Sequence, residues 1–234
     1  SVLAPQSLDM GGLGALRESA LTDAKVMLVD DEALTLEVIV TFLEESGYSR
    51  FVTTSEPTEA LDLIARERPD ILLLDLMMPK VSGFDILARM QADPELRYTP
   101  VVVLTSAAEA STKLRALDCG ATDFLAKPVD ASELRLRLRN TLAFRAYQNR
   151  LANYDRITGL PNRELFGKHV EQALRTAKRH GQSCAMLRLN LDRFGQINDT
   201  LGHGAGDALL RTASQRIQSA VRESDPLGRT ADSV

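Results

Sequence analysis

The sequence predicts an α/β protein: a five-stranded parallel, doubly wound sheet in its first part, then a long helical linker and a smaller, partial α+β part. Three observations lead there. Short aliphatic runs, which read as strands buried on both faces, alternate with amphipathic runs, which read as helices. The alternation repeats five times, which calls for parallel strands joined by right-handed crossovers. Four of those strands run directly into polar or charged residues, where the crevice beyond the carboxyl ends of an open sheet binds ligands.

Residues 1–23, with Gly11-Gly12-Leu13-Gly14, read as a flexible leader. Lys25 to Val29 is the first strand, followed by Asp30, Asp31 and Glu32. The next helix carries Leu36, Ile39, Val40 and Leu43 at helical spacing and stops at Gly47. Arg50 to Thr53 is a weaker strand, and Glu56 to Arg66 a helix begun by Ser55 and Pro57. Ile71-Leu72-Leu73-Leu74 is the central strand, ending in Asp75. Pro79 and Gly83 then punctuate the chain before a helix from Phe84 to Met90. Val101 to Leu104 ends in Thr105, Ala108 to Leu117 is a helix stopped at Gly120, and Asp123 to Ala126 leads into Lys127-Pro128.

Composition bounds the function. With 44% hydrophobic and 26% charged residues the chain has the make-up of a soluble globular protein. A net charge of -4 supplies no general attraction to nucleic acid or an anionic membrane. No apolar run approaches the length of a membrane span. Cys119 and Cys184 lack metal-type spacing and read as reduced thiols, so a cytoplasmic location is expected.

The strand ends bring Asp30, Asp31, Asp75, Thr105 and Lys127 to one edge of the sheet. Clustered carboxylates repel unless a cation is present. A hard divalent ion with oxygen ligands resolves the repulsion, and Mg²⁺ suits a site of few carboxylates plus water and phosphate oxygens. A metal-bound carboxylate beside a hydroxyl and an ammonium is a phosphoryl-transfer layout, with Asp75 as the attacking group.

The paired acids, the Asp75-Leu76-Met77-Met78-Pro79 run with Gly83 beyond it, Thr105 and Lys127-Pro128 match in order and spacing. On these residues the stretch from 24 to about 145 resembles a bacterial response-regulator receiver domain, whose fold is flavodoxin-like. The resemblance implies that Asp75 is the phosphoacceptor, served by a sensor histidine kinase or phosphotransfer protein. It implies a Mg²⁺ site of Asp30, Asp31, Asp75 and the main-chain carbonyl of Met77. Lys127 and Thr105 would act on the phosphoryl group, with Thr105 and Phe124 as the switch pair.

Residues 132–154 continue the last receiver helix without Gly or Pro, and Phe144, Tyr147, Leu151 and Tyr154 form a three-four-three seam. The seam suggests a homodimer.

The second part, 155–234, offers a turn-rich entry, a helix from Glu164 to Lys178, a strand from Ala185 to Asp192, a short helix from Phe194 to Leu201, a turn over 202–207, and a helix from Ala208 to Val221. Thr158-Gly159-Leu160-Pro161-Asn162-Arg163 and the run from Ile197 to Asp207 resemble motifs of the GGDEF domain of diguanylate cyclases. The resemblance makes Asn198 and Asp207 candidate guanine-binding residues, and Arg222 with Asp225 a candidate inhibitory site for cyclic di-GMP. Three departures point to a degenerate domain. Asn190 stands where the family has a metal-binding aspartate, Gly195 replaces a lysine, and Ala231-Asp232-Ser233-Val234 stands where the signature should begin.

These features together predict a phospho-accepting response regulator in cyclic di-GMP signalling. Its GGDEF half is expected to regulate, or to sense GTP or cyclic di-GMP, rather than to catalyse. An active phosphorylation-gated cyclase and a protein-binding adaptor are the rivals. By family analogy an EAL-type domain would follow, and no DNA binding is expected.

Overall fold

The central aliphatic runs pair into one sheet because each is too apolar on both faces to be stable uncovered, and two more polar strands flank them. The structure, a computed structural model, describes residues 21–106, 110–222 and 224–230. Among them, β1 (Lys25–Val29), β2 (Arg50–Thr54), β3 (Ile71–Asp75), β4 (Val101–Thr105) and β5 (Asp123–Ala126) form a parallel sheet in the order β2-β1-β3-β4-β5. The register sets Val29 beside Leu74, Asp75 beside Leu104 and Thr105 beside Ala126, so the polar strand ends finish on one edge.

Helices cover both faces. Leu36, Ile39 and Leu43 of α1 (Ala33–Glu45) pack with Leu134, Leu138 and Leu142 of α5 (Ala131–Asn153) against one face. On the other lie α2 (Ala60–Glu67), α3 (Gly83–Ala92) and α4 (Ala110–Asp118), through Ile64, Ile86, Leu87, Met90 and Ala116. Full burial of a leucine-sized side chain contributes roughly 1.5–3 kcal/mol, so these two layers supply most of the stabilisation.

One expected helix boundary shifts. The helix expected from Glu56 opens as a single 3₁₀ turn over Pro57–Glu59, and the α-helix proper begins at Ala60. The expected helix start at Ala108 lies outside the described residues, as do most of the leader and Ala231 to Val234. The third helix is capped as its sequence allows. Ser82 Oγ accepts from the Asp85 amide and the Asp85 carboxylate accepts from the Ser82 amide, a reciprocal capping box.

The chain separates into two compact units between Arg145 and Ala146, within α5. In the second, α6 (Arg163–His180) starts at Asn162, whose side chain accepts from the amides of Glu164 and Leu165 and donates to Ala152 O at 2.7 Å. Gly181, with φ +63°, ends that helix. The expected strand over 185–192 is a correction. This segment pairs with no other among the described residues, and Leu187 is 87% exposed. A strand exists only through a partner's hydrogen bonds, which periodicity alone cannot supply.

The expected turn over 202–207 is a second correction. Only Gly202 (φ +82°) breaks the chain between α7 (Phe194–Leu201) and α8 (His203–Ala220). Gly204, Gly206 and Asp207 lie in the first turns of α8. A Cβ on Gly206 would stand 1.9 Å from Asn198 Oδ1, so close packing of the two helices outweighs the poor helix propensity of glycine here.

Candidate functional site

The site grows from the ends of three adjacent strands. β1 delivers Asp30, wholly buried, with half-buried Asp31 after it. β3 delivers Asp75, and β4 delivers Thr105, both buried. Beyond β5, Lys127 is held by its amide, which donates to Thr105 O at 2.9 Å, and the Lys127-Pro128 peptide is cis. Lys127 Nζ stands 2.7 Å from Asp30 Oδ2 and 2.8 Å from Asp75 Oδ2. Asp75 Oδ1 accepts from the Met77 amide at 3.3 Å, and Asp30 Oδ1 from the Glu32 amide at 3.0 Å. Gly83 permits this crowding. A Cβ there would lie 2.2 Å from the Asp75 carbonyl oxygen, where α3 begins.

Charge in the site is unbalanced. Carboxylate oxygens of Asp30, Asp31 and Asp75 all lie within 4.8 Å of one another, and the Lys127 ammonium contacts two of these residues. Burial pushes the Asp30 carboxyl above its ordinary value, and the neighbouring Asp75 adds to this while Lys127 opposes it. Burial works against the Lys127 charge too, yet its contacts to the Asp30 and Asp75 carboxylates outweigh it and hold the ammonium above its ordinary value. The contact to Asp30 Oδ2 is a close ion pair rather than a well-directed hydrogen bond. Three converging oxygen donors, one of them without directed satisfaction, fit a hard divalent cation such as Mg²⁺.

Phe124 lies on β5 two residues before Ala126, partly buried against the α2–α3–α4 layer. Lys113 Nζ stands 4.8 Å from its ring centroid on α4, and the Arg137 guanidinium 5.5 Å from it on α5. The exposed Met77 side chain takes no part, while its main chain adjoins Asp75.

In the second unit the helices carrying Asn198 and Asp207 pack together. The Asn198 side-chain oxygen is buried against Gly206, the residue preceding Asp207, without a hydrogen-bond partner among the described residues. Arg222 and Asp225 close a turn, with the Arg222 amide donating to Asp225 Oδ2 at 3.3 Å. Asn190 is exposed, and Gly195 has open space where a Cβ would stand.

Among the ion pairs that the sequence does not announce, two groupings bear on the elements above. Asp155 and Arg229 pair at 2.8 Å, and Asp155 Oδ1 also accepts from the Thr158 hydroxyl and amide. Nothing local could announce a pair 74 residues apart. The other joins Arg137, Asp123 and Glu133, and only its Glu133–Arg137 spacing of one helical turn was visible beforehand.

Residues 26–139 match the response regulator receiver domain family, and 152–233 match the diguanylate cyclase, GGDEF domain family. A probable transcriptional regulator, ycf27 of Guillardia theta, is 32% identical over 183 residues, covering 75% of this chain and 69% of the relative. The chain belongs to the response-regulator family.

Response regulator PleD of Caulobacter vibrioides aligns along nearly the whole of this response regulator, 26% identical over 96% of the chain and 49% of PleD. Response regulator Rre1 of Synechocystis is 35% identical over 118 residues, covering 50% of this chain and 51% of its own. The chain thus spans about half the length of these two relatives. Among solved structures, a signal receiver domain from Vibrio parahaemolyticus superposes with a TM-score of 0.51 at 24% identity, covering 54% of this chain and 95% of that one, a likeness of fold. This response regulator therefore has a flavodoxin-like receiver domain followed by a GGDEF domain. No described helix is long and apolar enough to cross a membrane.

Proposed function

We propose that the chain is the phospho-accepting part of a cytoplasmic two-component regulator in cyclic di-GMP signalling. Asp75 accepts its phosphoryl group from a histidine kinase or phosphotransfer partner. The observation that carries this reading is the bridging ammonium: Lys127 Nζ contacts Asp30 and Asp75 at 2.7 and 2.8 Å at the carboxyl edge of the sheet. Asp30, Asp31 and Asp75, with the main-chain carbonyl of Met77, would hold Mg²⁺, which when bound offsets the negative charge gathered on the carboxylates and phosphoryl oxygens.

An Asp75 carboxylate oxygen forms the bond to phosphorus as the phosphorus–nitrogen bond of the partner's phosphohistidine breaks. The imidazole departs with that electron pair and takes up a proton. Lys127 keeps its charge, because the two carboxylates hold its pKa up, and would pair with a phosphoryl oxygen. Thr105, buried at the end of β4, would hydrogen-bond the product, with Phe124 responding behind it.

The GGDEF half acts as a regulatory or nucleotide-sensing output. The neutral Asn190 at a metal-ligand position supports this reading. Incubation with Mg²⁺ and acetyl phosphate should add one phosphoryl mass to the wild-type chain and none to Asp75→Asn. An unmodified wild-type chain would overturn the receiver reading. Cyclic di-GMP made from GTP by the full-length protein would overturn the regulatory one.

A further inference from the structure

β5 is gripped at both ends. At its carboxyl end Lys127 bonds Asp75. At its start, Arg137 of α5 forks onto Asp123, with Nη1 2.7 Å from Oδ1 and 2.8 Å from Oδ2. The same guanidinium donates through Nε and Nη2 to Glu133 Oε1 at 2.9 and 2.7 Å. It also stands over one side of the Phe124 ring, which Lys113 approaches from α4. Asp123 Oδ1 in turn accepts from the Phe124 amide at 2.8 Å. Hydrogen bonding to Asp123 raises the Arg137 pKa, ahead of the opposing effect of burial, so the fork stays charged. A planar guanidinium satisfies both carboxylates and lies on a ring at once, which an ammonium cannot do.

We propose that Arg137 is a positioning residue that carries the state of the Asp75 site from β5 into α5. Three residues of strand, Phe124 to Ala126, separate the two grips on β5 at Asp123 and Lys127, and α5 runs without a break from Ala131 to Asn153. A shift of β5 that follows a new charge on Asp75 reaches α5 through the Asp123 fork and the Phe124 face. This inference rests on Asp75 being the phosphoacceptor.

The test follows backbone hydrogen exchange over residues 140–153, with and without acetyl phosphate and Mg²⁺, in the full chain and in Arg137→Gln. Mass spectrometry of the intact chain scores Asp75 phosphorylation in the same samples. Wild type should change its exchange over 140–153 at least severalfold on phosphorylation. Arg137→Gln should take up the phosphoryl group within about twofold of the wild-type rate, yet show the same exchange with and without it. Arg137→Lys, which keeps the charge but not the fork, should recover only part of the response, and it serves if Arg137→Gln does not fold. An unmodified wild-type chain would defeat the phosphoacceptor reading itself. Phosphorylation with an unresponsive wild-type helix, or an undiminished response in both variants, would overturn the role of Arg137 alone.

Discussion

Asp30 is the residue on which the receiver site's balance turns. Burial raises its carboxyl pKa, so at neutral pH its charge opposes folding, and a divalent cation would remove that penalty. A ligand that binds only the folded state at a hundred times its dissociation constant stabilises by about 2.7 kcal/mol. Mg²⁺ should therefore raise the melting temperature of the wild type. Asp30→Asn should melt higher than the wild type without Mg²⁺ and gain less from it. Equal gains in calorimetric melts of the two proteins would count against a cation held by Asp30.

Asp155 works in the opposite sense. Burial alone would raise its carboxyl pKa, but hydrogen bonds from Thr158 and the Arg229 guanidinium outweigh burial and hold it below the ordinary value. A depressed folded-state pKa gives stability that is present above the unfolded carboxylate value and lost as pH falls through the folded one. The second unit should thus lose stability on acidification below about pH 4. Asp155→Asn should be less stable at pH 7 and should lack that part of the acid dependence. Parallel curves for the two proteins in denaturant titrations across pH 2–7 would exclude it.

Gly83 decides how an element meets the site. The first residue of α3 sits so close to β3 that a Cβ would lie 2.2 Å from the Asp75 carbonyl and 2.8 Å from Leu76 Cα. Both neighbours are backbone, so neither can swing aside. Gly83→Ala should destabilise the receiver domain by about 1–3 kcal/mol, the usual penalty of overpacking, and should also slow Asp75 phosphorylation by displacing its strand end. Thermal denaturation with unchanged midpoint would contradict this. A similar approach of Gly206 to Asn198 Oδ1 involves a side chain that can rotate, so the constraint between α7 and α8 is softer.

At the scale of the whole molecule, the apolar residues exposed on α5 bear on association between copies of the chain. Its Phe144, Tyr147 and Leu151, with Tyr154 just beyond, are exposed at 58, 57, 44 and 40%. A three-four-three apolar seam left in water favours pairing with a second copy. Sedimentation should show self-association that strengthens with acetyl phosphate and Mg²⁺, and Leu151→Glu should weaken it at least tenfold. A monomer of one mass under both conditions would refute the paired seam.

Sequence alone was enough for β1, β3 and β4, because four consecutive apolar residues such as 71–74 are stable only when covered on both faces, and the alternation with helices located the weaker β2 and β5. It was enough for the strand-end residues too, since parallel topology carries every strand's carboxyl end to the same edge. Tertiary structure decided what depends on distance through space. It set Lys127 between Asp30 and Asp75, placed Arg137 over Phe124, and joined Asp155 to Arg229 across 74 residues. It also left 185–192 unpaired among the described residues and drew Gly204 and Gly206 into a helix. Periodicity reports which face a residue occupies, whereas pairing and close packing depend on what the rest of the chain brings to meet it.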